Sequence, residues 1–94
     1  MMRYLRVLWH HKVPNDPTII YSEIDAERWE RRKVEIYADG RMSFADEQEE
    51  VGGSFLGVEP YPELSTFADD PEFEASYIDK QQFEDLWLRR KSRA

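Results

Sequence analysis

Alternating apolar and polar positions dominate the first half of the chain and predict β-strands. Residues 4–10 place Leu5 and Val7 on one face of a first strand. A loop with two prolines follows, and the β-branched run Thr18–Ile24 then predicts a second strand. Because about eight residues connect the two strands, we expect them to pair antiparallel with a long loop between them.

A second pair of strands is predicted around Asp39-Gly40. Glycine supplies the positive φ that a tight hairpin turn needs, so the pair Asp-Gly between apolar segments indicates a hairpin. A turn at 25–28 precedes its first strand, at 29–38, and 41–45 forms the return strand.

The pattern dissolves between residues 46 and 62, where glycines and prolines indicate turns and an irregular crossing. We consider a short strand at 54–56 and one helical turn over 63–68. The alternation at 73–78 predicts a last short strand.

A C-terminal helix is predicted after Asp79, a good N-cap residue with Gln82 three positions later, as in a capping box. Its apolar residues Phe83, Leu86 and Trp87 share one face. The expected fold is therefore α+β, a single domain over residues 1–94, with a mainly antiparallel four- to five-stranded sheet and this helix packed on one face. We expect Trp87 to be buried against the sheet, in contact with Leu5, Val7 or Val34.

Charge is distributed very unevenly along the chain. Between residues 45 and 85 there are thirteen acidic residues and one basic residue, whereas the net charge of the whole chain is −7. Such a segment is either a solvated surface that maintains solubility or an interface that attracts a basic protein partner.

Composition excludes several classes of function. The chain has no cysteine, so disulfides and thiolate metal sites are absent, and it has no apolar run long enough to cross a membrane. No phosphate-binding glycine loop or known hydrolase motif occurs. We expect no cofactor, no metal and no membrane association, a cytoplasmic location, and a monomer or weak dimer.

His10 and His11 are the two histidines, and adjacent residues of a strand point to opposite faces, so they cannot bind one ion together. His10 has three interpretations. It forms an acid–base pair with Glu23, it binds a metal with scattered carboxylates, or it caps the strand and bonds a loop carbonyl near Pro14. The third is the commonest situation for a lone histidine.

A dense basic stretch, with Arg28, Arg31, Arg32 and Lys33, lies in the predicted third strand and the turn before it. Aromatic residues nearby are typical of a nucleic-acid platform, but such platforms belong to basic domains, and the calculated pI here is about 4.8. We therefore expect no nucleic-acid binding, and ion pairs from these arginines to the acidic segment.

The chain resembles a small bacterial family, common in actinobacteria and other soil bacteria, that is known as a domain of unknown function. The residues that carry this resemblance extend over nearly the whole chain: Trp9-His10-His11, Tyr21 to Asp25, Arg28-Trp29, Arg32 to Glu35, Asp39-Gly40-Arg41, Leu56-Gly57, Pro60, Pro62, Phe73, Ile78, Phe83 and Trp87. The resemblance implies a stand-alone domain and assigns no catalytic residue.

Two hypotheses of function follow. The first is a non-enzymatic protein-binding domain, of the toxin-immunity type by analogy of size and charge. The alternative is a small enzyme or ligand-binding domain that uses a cleft formed by His10, Glu23 and Arg32, with Arg28 beside it. The two differ in whether these side chains converge.

Overall fold

The computed structural model describes residues 1–92, which form six strands, one α-helix and two short 3₁₀ helices. All neighbouring strands pair antiparallel, in the order β5-β4-β3-β2-β1-β6. The elements are β1 (Arg3–Trp9), β2 (Ile19–Ile24), β3 (Glu30–Ile36), β4 (Met42–Ala45), β5 (Glu50–Val51), a 3₁₀ turn (Leu64–Phe67), β6 (Phe73–Ile78), α1 (Lys80–Arg89) and a second 3₁₀ helix (Arg90–Ser92).

The α+β class, the antiparallel sheet and the C-terminal helix are confirmed, but the sheet has six strands rather than four to five. The additional strand is β5, which has only two residues and pairs with the end of β4. Residues 54–56 are described and are not a strand. They lie after Gly52 and Gly53, whose φ angles of 76° and 94° turn the chain away from the sheet edge.

The hairpin between β3 and β4 is confirmed, with Gly40 at a φ of 89°. The amide of Gly40 donates to the carbonyl of Tyr37 at 2.9 Å, which closes the turn. The predicted turn at 25–28 is also present, with the amide of Arg28 donating to the carbonyl of Asp25 at 2.9 Å.

The capping box at the start of α1 is confirmed. The amide of Gln82 donates to the Asp79 carboxylate at 2.8 Å, and the Gln82 side chain accepts from the Asp79 amide at 3.0 Å. Both bonds satisfy amide groups that the first turn of a helix leaves without partners, so they fix where the helix begins.

One face of the sheet, the helix face, is covered by α1. Trp87 is buried there beside Val34, as predicted. The cluster contains residues of three strands and the helix: Tyr4, Val34, Met42, Phe44, Phe83, Leu86 and Trp87. Leu5 and Val7 are buried on the opposite face, so the expected contact with Trp87 is wrong for these two residues. Alternation along β1 sends Tyr4 to the helix and Leu5 away from it.

The opposite, or far, face is covered by the chain between β5 and β6. The ammonium of Lys33 donates to the carbonyl of Phe55 at 3.0 Å, and the hydroxyls of Ser43 and Ser54 bond at 3.0 Å. Further along, an aromatic chain joins the segment to β1 and β6, with the Phe67 and Phe73 ring centroids 5.6 Å apart and those of Phe73 and Trp9 5.9 Å apart. Both faces of the sheet are thus enclosed.

Candidate functional site

The structure brings together two of the four candidate residues. Glu23 on β2 lies opposite Arg32 on β3, and both side chains point to the helix face. His10 follows the other end of β1, six residues beyond Tyr4, which pairs with Glu23. At about 3.3 Å per strand residue, this separates His10 from Glu23 by roughly 20 Å. Arg28 lies in the turn before β3 and binds the far-face segment.

The guanidinium of Arg32 is held between two carboxylates. Its Nε and Nη2 atoms donate to the two oxygens of Glu23 at 2.7 and 2.6 Å. Its Nη1 and Nη2 atoms donate to the two oxygens of Glu84, on α1, at 2.9 Å each. Each pair is bidentate, the geometry in which guanidinium and carboxylate bind most strongly. Arg32 therefore links β2, β3 and α1.

Aromatic rings enclose the same guanidinium. Its central carbon lies 4.9 Å from the centroid of the Phe83 ring and 5.1 Å from that of Trp87. The hydrogen bonds that Arg32 donates to Glu23 and Glu84 raise its pKa, so it stays charged. Burial, with the neighbouring Glu23 carboxylate, raises the pKa of Tyr4, so its hydroxyl stays protonated. The group is a partly buried ionic network in which Glu23 is the most enclosed member.

This arrangement leaves Arg32 little capacity for a ligand. A guanidinium has five N–H donors, and four hydrogen bonds to the chain's own carboxylates use most of them. A cavity of about 330 Å³ opens beside Glu23 and Arg32, but it is also lined by Arg31, Asp46 and Glu47, and Arg31 pairs with Glu47. Both arginines of its lining are already paired with carboxylates of the chain, which is the arrangement of a structural network rather than of a binding cleft.

His10 has a different partner from the predicted ones. Its Nε2 atom contacts the carboxylate of Glu74 on β6, and both side chains are largely exposed. The loop carbonyl bond expected for His10 is made instead by His11, whose Nε2 lies 2.7 Å from the carbonyl oxygen of Pro17. The pair of His10 and Glu74 depends on the alignment of β1 with β6, two strands at opposite ends of the chain.

The expected ion pairs between the basic stretch and the acidic segment are confirmed. Arg28 donates to the carbonyls of Tyr61 and Pro62 at 2.8 and 2.7 Å, and its Nε lies 3.5 Å from the Glu63 carboxylate. The amide of Tyr61 donates in return to the Arg28 carbonyl at 2.6 Å. Arg31 pairs with Glu47. These contacts attach the acidic segment to the sheet.

The sequence analysis missed Glu30, a buried carboxylate that organises the far face. It accepts from the hydroxyl of Ser22 at 2.7 Å and from the amide of Gly57 at 2.8 Å, and the Lys33 ammonium lies 3.1 Å away. Burial beside it raises the pKa of Tyr61 to about 12. The register shift between Glu23 and Ile24 in β2 sets the pairing of Glu30 with Ile24, and no residue pattern signals such a shift.

Protonation of Glu84 at acid pH should lower the free energy of unfolding, because it removes the negative charge of this side chain. The hydrogen bond from Arg32 holds the pKa of Glu84 below its ordinary value of 4.5. A carboxyl whose pKa is lower in the folded state stabilises the fold above its unfolded pKa, and that contribution disappears as pH falls through the folded value. Denaturant unfolding of wild type and Glu84→Gln should differ most at neutral pH and converge well below pH 4.5.

Val58→Ala is the matched control, because it removes an exposed, uncharged side chain. The effect of this control on the free energy of unfolding should be small, and it should be equal at neutral pH and well below pH 4.5. A difference between wild type and Glu84→Gln that persisted unchanged at pH 2 would contradict the ionic role of Glu84.

Exposed acidic side chains gather where the 3₁₀ turn meets β6. We call four of them the acidic rim: Asp69, Asp70, Glu72 and Glu74. The chain has no lysine or arginine from residue 42 to residue 79. Within the described residues, Asp69 and Asp70 make no ion pair, and Glu72 accepts a hydrogen bond from the indole of Trp9 at 2.8 Å. Among the described residues, Glu74 contacts His10 and the other rim residues make no ion pair, so the rim is largely uncompensated.

Within residues 1–92, no group of three or more histidine and acidic side chains is placed to hold a metal ion. No helix in the same range has the length and apolar character needed to span a membrane.

Comparison with known proteins identifies one family. The model of a family described as "Domain of unknown function (DUF6881)" matches residues 3–92. No curated protein and no solved structure matches the chain. The match extends over both faces of the sheet and α1.

Proposed function

The chain belongs to the DUF6881 family, a domain of unknown function, and from its geometry we propose a non-enzymatic domain that binds a protein partner with a basic surface. The more specific form of this proposal is a bacterial, actinobacterial-type protein of the toxin-immunity kind, in which the acidic surface would cover a basic toxin. Its small size and net charge of −7 support that form by analogy.

The observation that carries the proposal is the separation of paired and unpaired charge. The arginines of β3 and the turn before it are already bound to the chain's own carboxylates. The acidic rim retains its negative charge at the surface. Clustered charge of one sign accelerates association with an oppositely charged protein and discriminates against others of like charge.

The alternative, a small enzyme or ligand-binding domain with His10, Glu23 and Arg32 in one cleft, has less support. His10 lies at the other end of β1 from Glu23. The donors of Arg32 are engaged within the chain, so a ligand anion would have to displace Glu23 or Glu84. A buried carboxylate deprived of its cation is costly, which opposes that exchange.

Reversing the charge of the rim should abolish partner binding. We expect the triple variant Asp69→Lys, Asp70→Lys, Glu72→Lys to lose a partner that the wild-type protein captures from cells of its source. The purified partner should have a basic surface, and its affinity for the wild-type chain should fall at least tenfold between 50 and 500 mM salt, because salt screens exposed charges.

Glu50→Lys with Glu59→Lys is the control, since both residues are acidic and exposed but lie outside the rim. This double variant should retain the partner. If the rim variant bound the partner as tightly as wild type while remaining folded, the proposed acidic interface would be wrong.

A further inference from the structure

The outer edge of β6 is open in residues 1–92. β6 ends the sheet and pairs on one side with β1. The amide of His10 donates to the carbonyl of Glu72 at 2.7 Å, in the same register as the ladder. Because alternate residues of an antiparallel strand bond to opposite sides, Ala75 and Tyr77 direct their backbone groups outward. Among the described residues these groups have no hydrogen-bond partner.

This edge lacks the usual protection against pairing. β6 has six residues, and its sequence between Phe73 and Ile78 contains neither proline nor lysine, two residues that commonly block exposed strands. At the other end of the sheet, β5 has only two residues and is followed by Gly52-Gly53. Only the β6 edge is therefore long enough, at about 20 Å, to pair with another strand.

A groove follows the first half of this edge. It has a volume of about 480 Å³, and its walls are the 3₁₀ turn, with Leu64 and Ala68, and β6, with Glu74 and Ala75. Since β6 is the last strand of the sheet, a groove between it and the 3₁₀ turn lies at the end of the sheet. A second cavity, of about 630 Å³, touches the other half of β6 at Tyr77 and is lined by the mainly apolar residues of the N-terminus.

The charged residues beside the β6 edge indicate which kind of strand could pair with it. Glu74 lines the groove and the other rim residues lie in the short connection between its two walls, so an extended chain with basic side chains would be favoured at this half of the edge. A second copy of this protein would bring two acidic rims together at one edge, with a net charge of −7 on each chain. The cavity beside Tyr77 is lined by Met1 and Met2 but also by Arg3 and Lys80, so it would accept a large uncharged side chain rather than a basic one at the end of the same segment.

We propose that β6 is a docking edge to which an extended basic segment of the partner protein adds as a seventh strand. Backbone hydrogen bonds to Ala75 and Tyr77 hold the segment, and the rim selects its basic side chains. This inference rests on the proposed function, because it names the part of a basic partner that the acidic surface receives.

Synthetic peptides test the inference without knowledge of the partner. The probe is an eight-residue peptide that alternates lysine and valine and ends in leucine on both sides; the comparison peptide has glutamate in place of lysine. Addition of the lysine peptide should slow amide hydrogen exchange at Ala75 and Tyr77 at least tenfold, and the glutamate peptide should have no effect. Unchanged exchange at both amides with saturating lysine peptide would overturn the proposal.

Ala75→Pro supplies a second measurement. Proline removes the outward amide of residue 75, which the fold itself does not use, and the preceding residue is already extended. Affinity for the lysine peptide should fall at least tenfold. Ala75→Ser retains the amide and should bind within twofold of wild type, as should Glu50→Lys at the opposite edge. Equal binding by folded Ala75→Pro and wild type would contradict the proposal. If Ala75→Pro does not fold, the hydrogen-exchange measurement on the wild-type protein tests the proposal instead.

Other results separate the two proposals. A partner lost by the rim variant but retained by Ala75→Pro would overturn the docking edge and leave the acidic interface intact. A partner retained by the rim variant would remove the basis of both. A solution mass of twice 11.3 kDa that Ala75→Pro reduces to one chain would show that β6 pairs with a second copy, and this would overturn the proposal.

Discussion

Replacing Trp87 with alanine should lower the free energy of unfolding by about 3–5 kcal/mol, the range for loss of a large buried aromatic side chain. Trp87 is 9% exposed, its ring lies 6.0 Å from Phe44 and 6.1 Å from Phe83, and the Arg90 guanidinium lies 3.9 Å above it. Since small domains have total stabilities of about 5–15 kcal/mol, this loss should unfold a large fraction of the molecules near body temperature.

Leu88→Ala is the control for this measurement, because the next residue of α1 is 79% exposed. Its effect should stay within about 0.5–1 kcal/mol. The comparison is made by urea denaturation followed by far-ultraviolet circular dichroism. A Trp87→Ala melting temperature within two degrees of wild type would contradict the packing of α1 on the sheet.

The second large effect is expected at Arg32. Arg32→Met would leave Glu23, whose side chain is 8% exposed, as a buried charge without a cation. Removing one member of a buried pair typically costs about 3–5 kcal/mol, whereas replacing both by apolar residues is often neutral. We therefore expect Arg32→Met to be strongly destabilised and the double variant Glu23→Leu, Arg32→Met to recover most of the loss.

Arg31→Met provides the matched comparison on the same strand. Arg31 pairs with Glu47 at the surface, and its side chain is 42% exposed. Exposed pairs contribute about 0–1 kcal/mol, so this variant should resemble wild type. If Arg31→Met and Arg32→Met had equal effects, or the double variant were no better than Arg32→Met alone, the structural role of the ionic network would be contradicted.

Local signals in the sequence predicted the local elements well. The hairpin at Asp39-Gly40 and the cap at Asp79 depend on a few adjacent residues, and both are present. The acidic excess also identified the segment that the arginines bind. In each case, the residues that form the feature are close in sequence, or their opposite charges bring them together.

Features that depend on distant pairing could not be predicted in the same way. Alternation showed that Tyr4 and Leu5 lie on opposite faces, but it does not reveal which face a helix 75 residues later will cover. The partner of His10 is set by the register of β1 with β6. The two residues of β5 are too few for any period to be visible.

The long-range pairing of β1 with β6 also determines when the domain can fold during synthesis. β1 leaves the ribosome first, yet one of its two neighbouring strands and the helix that covers Tyr4 are made last. Until residues 73–89 emerge, the nascent chain therefore presents one side of β1 and the apolar surface of the helix face to water. Such exposure makes a growing chain a substrate for chaperones and for aggregation. Folding of this domain must consequently wait until residues 73–89 have left the ribosome.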